Sequence, residues 1–380
     1  LLAHPLSVGE VSGFRPWFLL ARALEAEGDS AGAADAYTQA LAEGASGRAG
    51  SHEATEIEAH IRRARARSHL GELQGALQDL RVVLSSNPPQ GRWLALELAR
   101  QAASAGAPEA THTFLSSVSP VEVRQRGWDL PAKGLLASGD SAGAEAAYWS
   151  AIPSLGSGAE RATAWERVAL LRWARADSVG TRAAFHQVLM EDSRGGLAAG
   201  AASALLELGF DSATVALRGA EALVRGGRFQ EALGAFRAFS DLTEQPLPRE
   251  VSLALARTHL SLREPVVALA LLDSLAQVEA PDVSPAILVL QTRALGALGR
   301  TRESRAVQDT LVARHPDRPE SVEILFLRAD ALQDRGDLEG AVAGFQATAE
   351  LSPTQNLAGQ ARMRLGQILS LIHISEPTRL

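Results

Sequence analysis

The sequence predicts an all-α protein, a right-handed α-α superhelix (solenoid) built from about nine degenerate helix pairs. Three observations predict it. Of 380 residues, 70 are Ala and 55 are Leu, both strong helix formers, while aromatic residues make up only 5%. A pattern of turn, small residue and large apolar residue recurs about every 35 positions. Each turn is flanked by amphipathic runs too short to bury their own apolar stripes alone.

The copies follow one another along the chain. Residues 28–41 (GDSAGAADAYTQAL), 139–152 (GDSAGAEAAYWSAI) and 176–189 (ADSVGTRAAFHQVL) align without gaps. Weaker copies lie at 71–84 (GELQGALQDLRVVL), 106–115 (GAPEATHTFL), 227–239 (GRFQEALGAFRAF), 263–272 (REPVVALALL), 299–311 (GRTRESRAVQDTL) and 336–349 (GDLEGAVAGFQATA). Turns are therefore expected at 28, 71, 106, 139, 176, 227, 263, 299 and 336. The widest interval, between 176 and 227, has room for an extra short helix, expected at 210–222. Runs such as 17–27, 165–175 and 322–335 supply the helix before each turn.

Each position in the pattern has a physical reason. A glycine at the turn takes positive φ where a Cβ would be penalised. Asp29, Asp140, Asp177 and Asp337 follow the turn as helix-starting residues. The alanine five residues after the turn (Ala33, Ala76, Ala144, Ala232, Ala341) lets two helices approach closely. Three or four residues further on, Tyr37, Leu80, Tyr148, Phe236 and Phe345 share its face and fill the space between neighbours. Pro88, Pro316 and Pro353 are expected to end units, because proline cannot continue a helix. Helix, Gly-containing turn, helix at this period resembles the tetratricopeptide repeat.

Composition restricts the chemistry. No cysteine is present, which removes disulfides, thiolate metal sites and a cysteine nucleophile. Formal net charge is -7 with no basic block, an argument against a nucleic-acid-binding surface. Of the 37 basic residues only Lys133 is a lysine. No apolar run approaches the roughly 18–20 residues that span a bilayer. The histidines form no metal-binding spacing, and His186 and His259 read as surface or packing residues. Gly195-Gly196 and Gly226-Gly227 are helix connectors rather than phosphate loops, and no Gly-x-Ser-x-Gly elbow occurs. No catalytic, cofactor-binding or metal-binding residue is assigned, and no cofactor is expected.

Binding residues are read from two arginine groups. Arg62, Arg63, Arg65 and Arg67 cluster in one helix, and Arg161, Arg167, Arg172 and Arg175 in another. If first helices line the concave side, Arg62, Arg65 and Arg172, with Trp165, line a groove that could hold an acidic peptide or polymer. The plainer reading is a solvated face in a chain that uses Arg in place of Lys. Trp165 and Trp173, eight apart, are likewise either core or a stacking platform.

Residues 321–349 (SVEILFLRADALQDRGDLEGAVAGFQATA) and 357–368 (LAGQARMRLGQI), with the Ala-rich degenerate repeats and DSA-type turns, resemble the helical region of bacterial soluble lytic transglycosylases. That resemblance implies a non-catalytic superhelix, a periplasmic or cell-envelope setting and a peptidoglycan partner. The family's catalytic Glu-Ser is followed by a Gly-Leu-Met-Gln segment, absent here. Glu320-Ser321 is therefore read as a first-turn acid at a helix N-terminus. The alternative is a general scaffold binding a protein or peptide in an envelope or regulatory complex. The superhelical domain is expected over 1–368. Residues 1–12 read as the middle of a longer chain, and 369–379 (LSLIHISEPTR) resemble a translated sequencing adapter, so 369–380 are expected to be a non-native tail.

Overall fold

The computed structural model describes residues 13–45, 53–243, 247–351 and 356–375, all helices and turns with no strand among them. The chain divides into two compact units, Leu1–Ala204 and Leu205–Leu380. The first unit opens with the pairs α1 (Phe14–Glu27) and α2 (Ser30–Ala45), α3 (Glu53–His69) and α4 (Leu73–Ser86), and α5 (Pro88–Ser104) and α6 (Pro108–Leu115). A short α7 (Pro120–Arg126) precedes the pairs α8 (Leu130–Ala137) and α9 (Ser141–Ala151), and α10 (Gly158–Ala174) and α11 (Ser178–Glu191). One further helix, α12 (Ala198–Leu208), crosses the division.

The second unit continues with α13 (Ala213–Arg225) and α14 (Phe229–Asp241), α15 (Arg249–Ser261) and α16 (Pro265–Glu279), and α17 (Pro285–Ala297) and α18 (Thr301–Arg314). It closes with α19 (Pro319–Asp334), α20 (Leu338–Leu351) and α21 (Asn356–Ser375). Within each unit the second helix of a pair packs on the first helix of the next, as α2 on α3, α4 on α5, α16 on α17 and α20 on α21. Stacking thus supplies the apolar partner each pair lacks.

All nine expected turns join the two helices of a pair, and each has a left-handed residue at the expected position. Gly28, Gly71, Gly106, Gly139, Gly227, Gly299 and Gly336 have φ between 68° and 88°. At the two turns without glycine, Ala176 and Arg263 adopt φ 58° and 59°. The amide of the following residue then reaches back to the last turn of the first helix. Asp29 N–H donates to Leu24 O at 2.9 Å, Asp177 to Arg172 O at 3.0 Å and Glu264 to His259 O at 2.9 Å. Each Asp then caps the second helix: Asp29, Asp140, Asp177 and Asp337 accept from Gly32, Gly143, Gly180 and Gly340 N–H at 2.8–2.9 Å.

The small residues that follow are fully enclosed. Ala33, Ala76, Ala144, Ala232 and Ala341 expose nothing, and the large residues Tyr37, Leu80, Tyr148, Phe236 and Phe345 are buried beyond them. Several aromatics meet a second ring edge-on: Phe18 and Tyr37 at 5.8 Å, Trp128 and Tyr148 at 6.1 Å, Phe326 and Phe345 at 5.4 Å.

Three details differ from the sequence reading. The inserted helix is α12 at Ala198–Leu208, not 210–222: Gly209, at φ 83°, ends it, Ser212 caps α13, and α13 is the first helix of the following pair. Pro88 opens α5 rather than closing α4, because Asn87 accepts from Gln90 N–H at 3.3 Å and a proline is tolerated at the first helical position. The short α7 was not foreseen. Pro316 lies in the turn after α18, and Pro353 lies outside the described residues. α21 continues through residue 369 to Ser375, while residues 1–12 and 376–380 lie outside the described part. No described helix is long and apolar enough to cross a membrane.

Candidate functional site

The arginines of α3 divide by helical phase. Arg63 and Arg67, four apart, turn inward with His60 toward Asp79 of α4, whose side chain is only 1% exposed. Arg63 donates from Nη2 to Asp79 Oδ1 at 2.6 Å and from Nε to Oδ2 at 3.0 Å. Arg67 Nη1 donates to Oδ2 at 2.9 Å, and His60 Nδ1 lies 2.7 Å from Oδ1. Burial alone would push the Asp79 carboxyl up. The hydrogen bonds from His60 and Arg63 and the charges of Arg63 and Arg67 outweigh it and hold the group below the usual carboxylate range.

Arg62 and Arg65 face the other way and tie neighbouring pairs together. Arg62 donates to Glu25 of α1 at 2.8 Å and to Glu58, one turn earlier on α3, at 2.9 Å. The same Glu25 oxygen accepts from the Tyr37 hydroxyl at 2.8 Å, and burial followed by this carboxylate pushes the phenol well above its ordinary value. Arg65 donates to Glu97 of α5 at 2.9 Å, and its guanidinium lies over the Trp93 ring, 5.1 Å from the centroid. First helices of three successive pairs are thus linked by their outward stripes.

A second assembly repeats this chemistry on α9 and α10. Arg172 donates to Glu145 at 2.6 Å, lies over Trp149 at 5.4 Å and reaches Gly180 O at 3.3 Å. Arg175 pairs with the same Glu145, and Arg161 with Glu191 at 2.8 Å. Trp165 meets Trp149 edge-on at 4.7 Å and packs beside Ile152 and Leu155. Trp173 points elsewhere, because eight residues at 100° each separate two side chains by about 80°. So Trp165 is largely packing, whereas Trp173 is 43% exposed.

One basic recess was not read from the sequence. Trp93, Glu97, Arg100 and Ser104 form a single stripe on α5, and Trp93 is 49% exposed. Where α5 meets α8 this stripe borders a recess of about 520 Å³, lined by Arg100, Ser104, Arg126, Asp129, Leu130 and Lys133. Lys133 pairs with Asp129 at 2.6 Å. Arg100 and Arg126 have no ion-pair partner among the described residues, so the recess carries uncompensated positive charge. The readable signal was the i, i+4, i+7 spacing from Trp93 to Arg100. Neither Arg126 nor Lys133 belongs to an arginine cluster, so the sequence does not mark either as a binding residue. The four residues expected to line a groove do not meet at one place: Arg62 and Arg65 sit on α3, and Trp165 and Arg172 on α10.

Among the described residues no group of three His, Asp or Glu is arranged to hold a metal ion. Glu320 occupies the first turn of α19, and Ser321 is buried, its hydroxyl donating to His315 O at 2.7 Å.

Residues 217–284 and 290–356 match the family model described as tetratricopeptide repeat. No curated protein sequence matches. Among solved structures, a tetratricopeptide repeat protein from Parabacteroides merdae is 13% identical with a TM-score of 0.32, covering 82% of this chain and 98% of that one. Yeast Tom70 is 16% identical at TM-score 0.33, over 96% and 90% of the two chains. The P58(IPK) TPR domain is 17% identical at TM-score 0.23, over 97% and 91%.

Proposed function

We propose that this chain is a protein-binding helical repeat scaffold, and that the face formed by α3, α5 and α8 receives an acidic segment of a partner protein. One observation carries this reading: the α5–α8 recess brings the unpaired Arg100 and Arg126 together with Lys133, and Trp93, about half exposed, stands two turns before Arg100 on the same α5 stripe. Arginine and tryptophan are the residue types that dominate protein-protein contact energies, and guanidinium groups match carboxylates geometrically. The tetratricopeptide repeats at 217–356 support the same class of role. Arg62 and Arg65, already paired with carboxylates, position the neighbouring helices, so a partner would engage Arg100 and Arg126 first.

Capture of partners from the source organism's extract, identified by mass spectrometry, tests this. The double variant Arg100→Glu/Arg126→Glu is expected to weaken the captured interaction at least 10-fold with an unchanged melting temperature. Raising salt is expected to weaken the wild-type interaction in parallel. Equal capture by both proteins would place the binding face elsewhere.

A narrower identity, the superhelical region of a periplasmic peptidoglycan lytic transglycosylase, rests only on the sequence resemblance at 321–349 and 357–368. Co-sedimentation with purified peptidoglycan sacculi is its test.

A further inference from the structure

A different recess lies on α10, α11 and α12, outside the arginine stripes. Leu170 and Trp173 of α10 form one wall and are 46% and 43% exposed. Phe185 of α11, buried, meets Trp173 edge-on with ring centroids 6.3 Å apart. The opposite wall is α12, which presents Gly200, Ala201 and Ala204. This helix is the insertion that breaks the 35-residue period, and its sequence AAGAASALLEL puts small residues where the facing wall carries large ones. A Cβ built on Gly200 would meet no atom within 4 Å, so the space beside it is open. The cavity measures about 420 Å³.

The lining carries one charge. Glu166, one turn before Leu170, has no ion-pair or hydrogen-bond partner among the described residues. An apolar slot with a single unpaired carboxylate at its rim complements an apolar group that has a cation beside it. Two large apolar side chains are left nearly half exposed, so the recess covers only one side of an occupant. That suits a side chain presented by another polypeptide better than a free small molecule, which needs most of its surface enclosed.

We infer that this recess docks a partner segment carrying a large aromatic side chain, which lies against Trp173, next to an Arg or Lys that pairs with Glu166. The site is separate from the acidic-segment reading and stands or falls independently of it.

The test uses the full chain and fluorescein-labelled 12-residue peptides with a central Phe-Arg pair in a Gly/Ser/Ala background, read by fluorescence anisotropy. Exchanging Phe for Ala, or Arg for Glu, in the peptide is expected to weaken binding at least 10-fold. Gly200→Leu fills the slot with a better helix former, so it is expected to weaken the Phe-Arg peptide at least 10-fold with unchanged circular dichroism. Glu166→Arg is expected to reverse the preference toward a Phe-Glu peptide. Arg100→Glu/Arg126→Glu is expected to leave this binding unchanged, which separates failure here from failure of the α5–α8 reading. Equal binding by wild type and Gly200→Leu, or no reversal with Glu166→Arg, overturns the inference. Absence of binding by every peptide, or occupation of the slot by a second copy of the chain, overturns it as well.

Discussion

At the residue scale the turns show how strictly the backbone selects for glycine. Nine successive turns need φ near +60° to +90°, and seven use glycine. Ala176 and Arg263 meet the same need with a Cβ present, a conformation that disfavours side-chain-bearing residues by about 1–2 kcal/mol. Glycine regains part of that and loses some to its greater freedom in the unfolded chain. Ala176→Gly is therefore expected to raise stability by roughly 0.5–1 kcal/mol in urea melts. A loss of stability would show that the alanine side chain contributes contacts that outweigh the backbone preference.

Asp79 sets the second residue-scale expectation. Its carboxylate is buried and satisfied by His60, Arg63 and Arg67, so removing its charge leaves two guanidinium groups facing an enclosed amide. Breaking a buried pair in this way typically costs about 3–5 kcal/mol. Because the folded carboxyl titrates below its unfolded value of about 4, its contribution is full above that pH and is lost as pH falls through the folded value. Asp79→Asn is thus expected to be much less stable than wild type at pH 7, with the gap closing below about pH 4. A gap independent of pH would mean that packing, not charge, holds α3 against α4.

At the element scale, helix pairs were legible wherever a local signal had one outcome. Turn residues, caps and the enclosed alanines obey rules that operate within a dozen residues, and all nine turns stand where the pattern placed them. α12 was misplaced because its first seven residues, AAGAASA, carry no large apolar side chain from which a helical period can be read, and only Gly209 marks its end. α7 is too short to generate a helical period at all. The binding residues were less legible, because their roles depend on what neighbouring helices bring. Arg62 and Arg63 are adjacent in sequence, yet one reaches Glu25 of α1 and the other Asp79 of α4. Arg100 of α5 and Arg126, at the end of α7, become one feature only in the recess they share with α8. A double-mutant cycle on Arg65 and Glu97, a partly exposed link between α3 and α5, is expected to give no more than about 1 kcal/mol of coupling. A markedly larger value would make this pair, rather than apolar stacking, a main fastener of successive repeats.

At the scale of the whole molecule, each unit is a row of pairs that touch their neighbours, so stability is carried by adjacent contacts and not by one shared centre. The consequence is graded. Ala144, on α9, is fully enclosed, and Ala144→Leu is expected to overpack its surroundings at a cost of roughly 1–3 kcal/mol. Hydrogen exchange of the full chain carrying Ala144→Leu tests this most directly. Protection is expected to fall most in α8, α9 and α10 and progressively less toward α1 and α2. An equal loss in every helix of the first unit would contradict the stacked-pair account and require a single cooperative core.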